Sequence, residues 1–188
     1  MDALKHRFPD METSVQRSRW SSPLVDCEQI VGLSEVVIRP FQPGDEVAFR
    51  GLNEAWIAKY FIIEEADRKV LNDPVHNILR LGGHIFLAVA GEVAVGCCAL
   101  LPMEPDGFEL AKMAVSEDLQ GKGIGRKLLE CAITEGRRLG ASRLYLETNR
   151  RLANAIHLYE SVGFEHVSPD QVIPSPYARA NVFMEMKI

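Results

Sequence analysis

No apolar run in this chain of 188 residues approaches the ~20 that a membrane-spanning helix needs, so no membrane partner is expected. Cysteine is sparse. Cys27, Cys97, Cys98 and Cys131 form no CxxC pair and have no histidine at zinc-ligand spacing, so no metal is expected. Nor does a basic neighbour stand out that would activate a thiol, and the cysteines read as buried and reduced. Excess positive charge is missing too: a formal net charge of −5 argues against nucleic acid as a partner. The first basic residues are not followed by an apolar segment, so no signal peptide is expected and a cytoplasmic location is. The string G-x-x-x-x-G-K-[ST] does not occur, which removes the nucleotide-triphosphate loop.

What is present suits one soluble domain, with 47% hydrophobic and 25% charged residues. Residues 1–34 mix Ser, Pro, Arg, Asp and Glu without periodicity, and are expected to be a mobile tail outside a core domain of residues 35–188. From there the pattern becomes regular. Val36 to Phe41 is strand-like, and Pro43-Gly44-Asp45 turns into a helix through about Lys59. A second helix covers Glu65 to Leu71 or beyond, with Pro74 expected to break it. His84–Ala90 and Val93–Leu101 form a hairpin about Gly91-Glu92, and Cys97 and Cys98 should point to opposite faces. A strand from Phe108 to Val115, a helix from about Lys122 to Leu139 and a strand from Arg143 to Thr148 make a strand–helix–strand unit. Its strands should be parallel, with a right-handed crossover. The helix shows one apolar face (Ile124, Leu128, Leu129, Ala132, Ile133, Leu139) and ends at Gly140. A further helix runs to Val162, and strands at Phe164–Val167 and Val182–Lys187 close the chain.

The junction inside that unit carries the most information. An apolar strand ends at Val115, a polar loop follows, and Gly121, Gly123 and Gly125 alternate at the start of an amphipathic helix. Helix N-termini present main-chain amides without intrahelical partners, and the helix dipole adds partial positive charge. Glycine lets a phosphate approach that backbone closely. A phosphate-bearing ligand is expected at Gln120, Gly121, Lys122, Gly123, Ile124, Gly125 and Arg126. A dinucleotide fingerprint, G-x-G-x-x-G with an acid roughly 20 residues on, is half met by Gly121, Gly123 and Glu147. Its third glycine is Arg126, where helix and strand would need to pack closely. The alternative pattern Q/R-x-x-G-x-G/A is met by Gln120, Gly123 and Gly125.

With Gln120, Gly123 and Gly125 in that pattern, and with Ala155-Ile-His-Leu-Tyr-Glu-Ser-Val-Gly-Phe164 downstream, the sequence resembles the GNAT superfamily of N-acetyltransferases. The resemblance implies an α/β (α+β) fold, a mixed sheet of six to seven strands with helices on both faces. Its two central parallel strands should splay apart where the first carries a bulge. It implies acetyl-CoA as acetyl donor, a primary amine as acceptor, and direct attack in a ternary complex. The pantetheine arm would pair with the strand edge at Met113, Ala114 and Val115, and the Val115 amide would face the developing oxyanion. Tyr159, in the A-I-x-L-Y string, matches the general acid for the departing thiolate; its other reading is a core tyrosine beside Ile156 and Val162. A general base must remove the amine proton. Glu109 is the first candidate, with a salt bridge to Lys112 as its alternative role, and Glu147 the second. The asparagine that many members carry near the start of the fourth helix is here Leu152. Asn154 is a weaker cofactor contact, and more simply an N-cap.

Acceptor choice should lie between the first strand and the hairpin, and in the last loop. Trp56, Tyr60 and Phe61 beside Glu64, Glu65 and Asp67 could hold a cationic amine, or simply form an amphipathic helix packed on the sheet. Arg150, Arg151 and Arg179 could hold an acceptor carboxylate or be solvated charges. A small amine or amino acid is favoured over a protein acceptor. Homodimerisation, common among members, has no residue-level support. A noncatalytic acyl-CoA-binding module and a dinucleotide-dependent oxidoreductase stay open.

Overall fold

The computed structural model describes residues 36–188. The expected tail and Cys27 lie outside them. Seven strands and five α-helices follow one another: β1 (Val36–Pro40), α1 (Glu46–Tyr60), α2 (Glu65–Asn72), α3 (Pro74–Asn77), β2 (His84–Ala90), β3 (Val93–Met103), β4 (Gly107–Val115), α4 (Ile124–Arg138), β5 (Arg143–Thr148), α5 (Ala153–Ser161), β6 (Glu165–His166) and β7 (Val182–Lys187). Among the described residues no helix is long and apolar enough to cross a membrane.

The strands form one sheet in the order β1-β2-β3-β4-β5-β7-β6. Every adjacent pair is antiparallel except β4 and β5, which run parallel as a strand–helix–strand connection through α4 requires. Side chains alternate across the central strands, so each face gets its own core. Cys98, Leu100, Leu110, Leu144 and Leu146 pack under α4 and α5, with Leu128, Leu129, Ala132 and Tyr159. Cys97, Ala99, Leu87 and Ala114 face α1 and α2, with Phe49, Ile57 and Leu71. The two adjacent cysteines thus point to opposite faces as expected, and burial pushes both thiols well up from their ordinary pKa.

Three local readings change. Pro74 does not only end a helix; it opens the single turn α3, where the missing N–H costs nothing and Asp73 accepts from the His76 amide at 2.9 Å. The apolar face of α4 is buried from Ile124 to Ile133, but Leu139 is exposed because the helix stops at Arg138. Gly140 and Ala141 then donate to the Arg137 and Gly136 carbonyls at 3.0 Å each, which is the glycine-terminated helix end the sequence implies. The strand after α5 is only two residues long.

Entry into β2 is tight. A Cβ on Gly83 would lie 2.7 Å from both Ile78 Cγ2 and the Leu100 carbonyl oxygen, and that carbonyl belongs to a paired strand with little room to retreat. Gly83→Ala should lower stability by about 1–3 kcal/mol in urea unfolding. An unchanged midpoint would show that this corner is softer than its packing.

Candidate active site

The site begins with one extra residue. Across β3 and β4, Cys97 faces Ala114 while Ala99 faces Ala111, so β4 takes three steps where β3 takes two. The surplus is a β-bulge, and Lys112 within it has φ +52°, a left-handed backbone that non-glycine residues seldom adopt. The bulge turns β4 away from β5. Their parallel pairing runs only from Gly107–Arg143 to Leu110–Leu146, although β4 continues to Val115. The splay opens a cleft enclosing about 730 Å³, part of it continuous with solvent, walled by α1, β4, β5, Tyr159 and the loop before β7.

One side of the cleft is built from main chain. The Ser116 amide donates to the Val95 carbonyl at 2.8 Å, so strand alternation turns the amides of Val115 and, across the bulge, Met113 towards the side β5 has vacated. Ala114 instead spends its main chain on β3 and its side chain in the core. Gln120 Nε2 donates to the Val115 carbonyl at 3.1 Å, tying the loop to the strand end. Gly121 and Gly123 have φ +77° and +82°, and a Cβ on either would meet nothing within 4 Å. These two glycines serve backbone conformation at an open surface. Gly125 serves packing, with Met113 Cε 3.4 Å and Leu158 Cδ2 3.5 Å from its would-be Cβ. The first bond of the α4 ladder is donated by Lys127 to Gly123 at 3.1 Å and no side chain caps the helix, so the amides ahead of Lys127 stand outside the ladder. Lys122 and Arg126 are exposed beside them, and Arg126 donates to Ser161 Oγ at 2.7 Å, joining α4 to α5.

Asn154 does not cap α5. The helix begins at Ala153, because Asn149 closes the preceding turn by accepting from the Arg151 amide at 2.9 Å and donating to the Arg179 carbonyl at 2.6 Å. Asn154 is exposed on the first turn, and Leu152 lines the cleft.

The other three candidates meet in the cleft. Tyr159, 9% exposed, donates to Met113 Sδ at 3.8 Å, and burial pushes its pKa up to about 12, so the phenol stays protonated. The core reading of Tyr159 holds, since it packs in the α4–α5 core, and its hydroxyl also reaches the splayed edge. Glu109, 7% exposed, stands opposite Tyr145 at the last pairs before the splay. Glu147 is two residues further along β5, on the same face, opposite to Leu144 and Leu146. Ser175 Oγ donates to Glu147 in a short hydrogen bond.

Lys112 pairs with Asp67 rather than with Glu109. Its Nζ donates to Asp67 Oδ1 at 2.9 Å and to the Tyr177 hydroxyl at 2.8 Å, all but buried. Arg179 binds the same carboxylate through both nitrogens at 2.6 and 2.8 Å, and reaches Glu64 Oε1 at 2.9 Å. Burial alone would raise the Asp67 pKa, but the hydrogen bonds from Arg179 and the charge of Lys112 outweigh it and hold it below the ordinary 3.8. For Lys112, burial works downward and is outweighed by Tyr177 and Asp67, which keep the ammonium charged. Arg179, offered by the sequence for an acceptor carboxylate, is therefore already occupied. Arg150 and Arg151 are exposed and do not line the cleft. Lys112 was considered only as a partner for Glu109, and Tyr177 and Ser175 went unassigned in the sequence. A lysine inside an apolar strand was the available signal for the first; the prolines at 169, 174 and 176 masked the other two as ordinary loop.

A splayed parallel pair feeding a glycine loop and an uncapped helix is the arrangement expected of the GNAT fold. Residues 50–164 match the acetyltransferase (GNAT) family, and the chain belongs to it. It is 37% identical over 99 residues, half of this chain and 59% of the other, to an uncharacterized N-acetyltransferase, YjgM, of Escherichia coli K12. It is 43% identical over 63 residues to the ribosomal protein bS18-alanine N-acetyltransferase of the same strain, covering 34% of this chain and 43% of that one. The chain thus spans less than two thirds of the length of these relatives. In three dimensions it resembles a GNAT-family acetyltransferase from Staphylococcus aureus Mu50, with a TM-score of 0.75 and 21% identity over 81% of this chain and 99% of that one.

Removing one partner of the buried cluster should cost more than the pair contributes, because charges are left uncompensated. Asp67→Ala should lose about 3–5 kcal/mol in urea unfolding. With a depressed carboxylate pKa, the Asp67 contribution is present at neutral pH and lost as pH falls below the ordinary 3.8. The raised Lys112 pKa puts the alkaline loss above 10.5. The melting temperature should therefore fall less steeply in acid for Asp67→Asn than for the native protein; parallel acid limbs would exclude this cluster as the cause.

Proposed function

We propose that this protein transfers an acetyl group from acetyl-CoA to a small primary amine by direct attack in a ternary complex. The early end of β4–β5 pairing carries the reading: it leaves a free strand edge that runs straight into the glycine loop and the α4 N-terminus. The loop amides from Gly121 to Arg126 would hold the diphosphate, with Gln120 bracing the loop against Val115. The edge at Met113 and Val115 would pair with the pantetheine amides as an added strand. Acetyl-CoA supplies an activated thioester, whose carbonyl gains negative charge during attack.

Each step then has a group of this chain beside it. The Val115 amide donates to the developing oxyanion. Glu109, buried at the mouth of the splay, accepts the amine proton. Tyr159 donates to the departing sulfur. A phenol with a pKa of about 12 would not give its proton freely to a thiolate near ~8.5 in water, but a thiolate in the same dry pocket also loses hydration. Hydrogen-bond donation in the transition state, completed as the C–S bond breaks, is the role this supports.

Two outcomes test the reading. Gly123→Val would place a β-branched residue at φ +82° with open space around it, so the domain should still fold while the loop amides lose their arrangement. Acetyl-CoA should raise the melting temperature of the native protein and leave that of the variant unmoved. A rise with NAD in place of acetyl-CoA would favour an oxidoreductase. Tyr159→Phe should lower kcat by about 100-fold or more while acetyl-CoA affinity stays within about threefold. Undiminished turnover would leave Tyr159 a packing residue, and the native kcat should show no Tyr159-linked fall between about pH 8 and about pH 10.

A further inference from the structure

We infer that Asn53 binds the acceptor: its side-chain oxygen takes a hydrogen bond from the hydrogen that the amine keeps through the reaction, so the site selects a primary amine over a secondary one. This rests on the acetyl-transfer reading and adds to it the group on α1 that holds the attacking nitrogen.

Asn53 is an unusual residue for its place. Phe49, Asn53 and Ile57 recur every four residues on the buried face of α1, and the outer two belong to the apolar core that holds Cys97, Ala99 and Ala114. Asn53 is 2% exposed, and a buried polar side chain destabilises the fold unless its groups are paired. Only half of this one is. Nδ2 donates to the Phe49 carbonyl at 2.9 Å and to Cys97 Sγ at 3.3 Å. Oδ1 takes no hydrogen bond from any described residue, yet it is not sealed from solvent, and Asn53 lines the cleft. A leucine would fill the same space with no oxygen left over.

The amide is held in one orientation. A flip would set Oδ1 against the Phe49 carbonyl, acceptor to acceptor. Cys97 fixes the same orientation from the sheet. Burial pushes its pKa up to about 12, so the thiol keeps its hydrogen and donates it to the Lys112 carbonyl at 3.5 Å, which turns the sulfur lone pairs to Nδ2. That carbonyl belongs to the bulge, and Cys97 pairs with Ala114, between Met113 and Val115. The Asn53 amide therefore sits at the level of β4 where the thioester carbonyl would meet the Val115 amide.

A primary amine brings two hydrogens to the attack. As the C–N bond forms and the C–S bond breaks, one proton goes to Glu109, and the sulfur leaves as a thiol with the proton of Tyr159. The other hydrogen stays on nitrogen in the product amide, and it is the one Asn53 Oδ1 accepts. A secondary amine has a single hydrogen, which must be lost. Its second carbon would then face a buried oxygen without a donor, and hydrogen-bonding sites reject such analogues strongly.

Release of CoA thiol from acetyl-CoA is measured with butylamine, alaninamide and a short peptide with an N-terminal alanine, each beside its N-methyl counterpart. The pair turned over fastest is carried to the variants. kcat/KM for the primary member should exceed that for the N-methyl member by about 30-fold or more. Asn53→Leu keeps the volume and shuts out water, and the Phe49 carbonyl keeps its helical bond from the main-chain amide at that position. This variant should lower kcat/KM for the primary amine by about tenfold and shrink the preference to about threefold, with the melting-temperature response to acetyl-CoA unchanged. Should leucine fail to fold, Asn53→Ala only removes atoms from a helix that alanine favours, and the preference should shrink likewise. Equal turnover of both members by the native protein, or a preference that survives in the folded variant, overturns the role of Asn53 and leaves acetyl transfer standing. No thiol release with any amine, while acetyl-CoA still raises the melting temperature, removes acetyl transfer to amines and this inference with it.

Discussion

The buried bond between Lys112 and Asp67 is the constraint on which the cleft depends. A bulge residue in a left-handed conformation is strained, and strain of that kind persists only where the surroundings over-determine it. Here they do. The Lys112 ammonium is fixed by an aspartate from α2 and a tyrosine from the loop before β7, so the extra residue of β4 cannot slip back into register without breaking both. Register matters because a one-residue shift would exchange the faces of every side chain beyond it. Ala114 would leave the α1 core and Val115 would turn its amide back towards β3. The splay, the strand edge and the cleft are consequences of one side chain being held in place.

The same contact divides the cleft into two kinds of surface. Towards α4 the surface groups are main-chain amides, from Met113, Val115 and the glycine loop, with few side chains between them and solvent. Towards α1 and α2 they are side chains: two carboxylates, two occupied cations and three aromatic rings. Tyr159 sits at the boundary. It is deep enough for its pKa to reach about 12 and close enough to Met113 to touch the edge where the two surfaces meet. A buried phenol is a poor free acid but a rigid hydrogen-bond donor, and rigidity is what a transition-state contact needs.

That division explains what could be read from the chain. The strand–loop–helix from Phe108 to Arg138 was legible because its shape is set by backbone conformation, and glycines at fixed spacing announce backbone conformation directly. The faces of Cys97 and Cys98 and the buried stripe of α4 from Ile124 to Ile133 followed from period alone, and the helix end at Gly140 from its glycine. Asn154 misled as a cap because the turn before α5 is closed from a distance. Asn149 spends its side chain on Arg151 and Arg179, and the helix therefore starts without a polar cap. Arg179 misled for a similar reason. Its partners lie 112 and 115 residues away in sequence, and local composition cannot reveal a charge that has already been neutralised.

The side of the cleft facing α1 and α2 is harder to read because it is a tertiary object. Glu64 and Asp67 come from α2, Lys112 from β4, and Tyr177 and Arg179 from a proline-rich loop; none has a meaning in isolation. Brought together they hold Lys112 and Arg179 in ion pairs, where a plain inventory of the cleft would assign both cations to ligand binding. A glycine motif is legible because it specifies backbone, whereas an ion-pair cluster assembled across the fold is not.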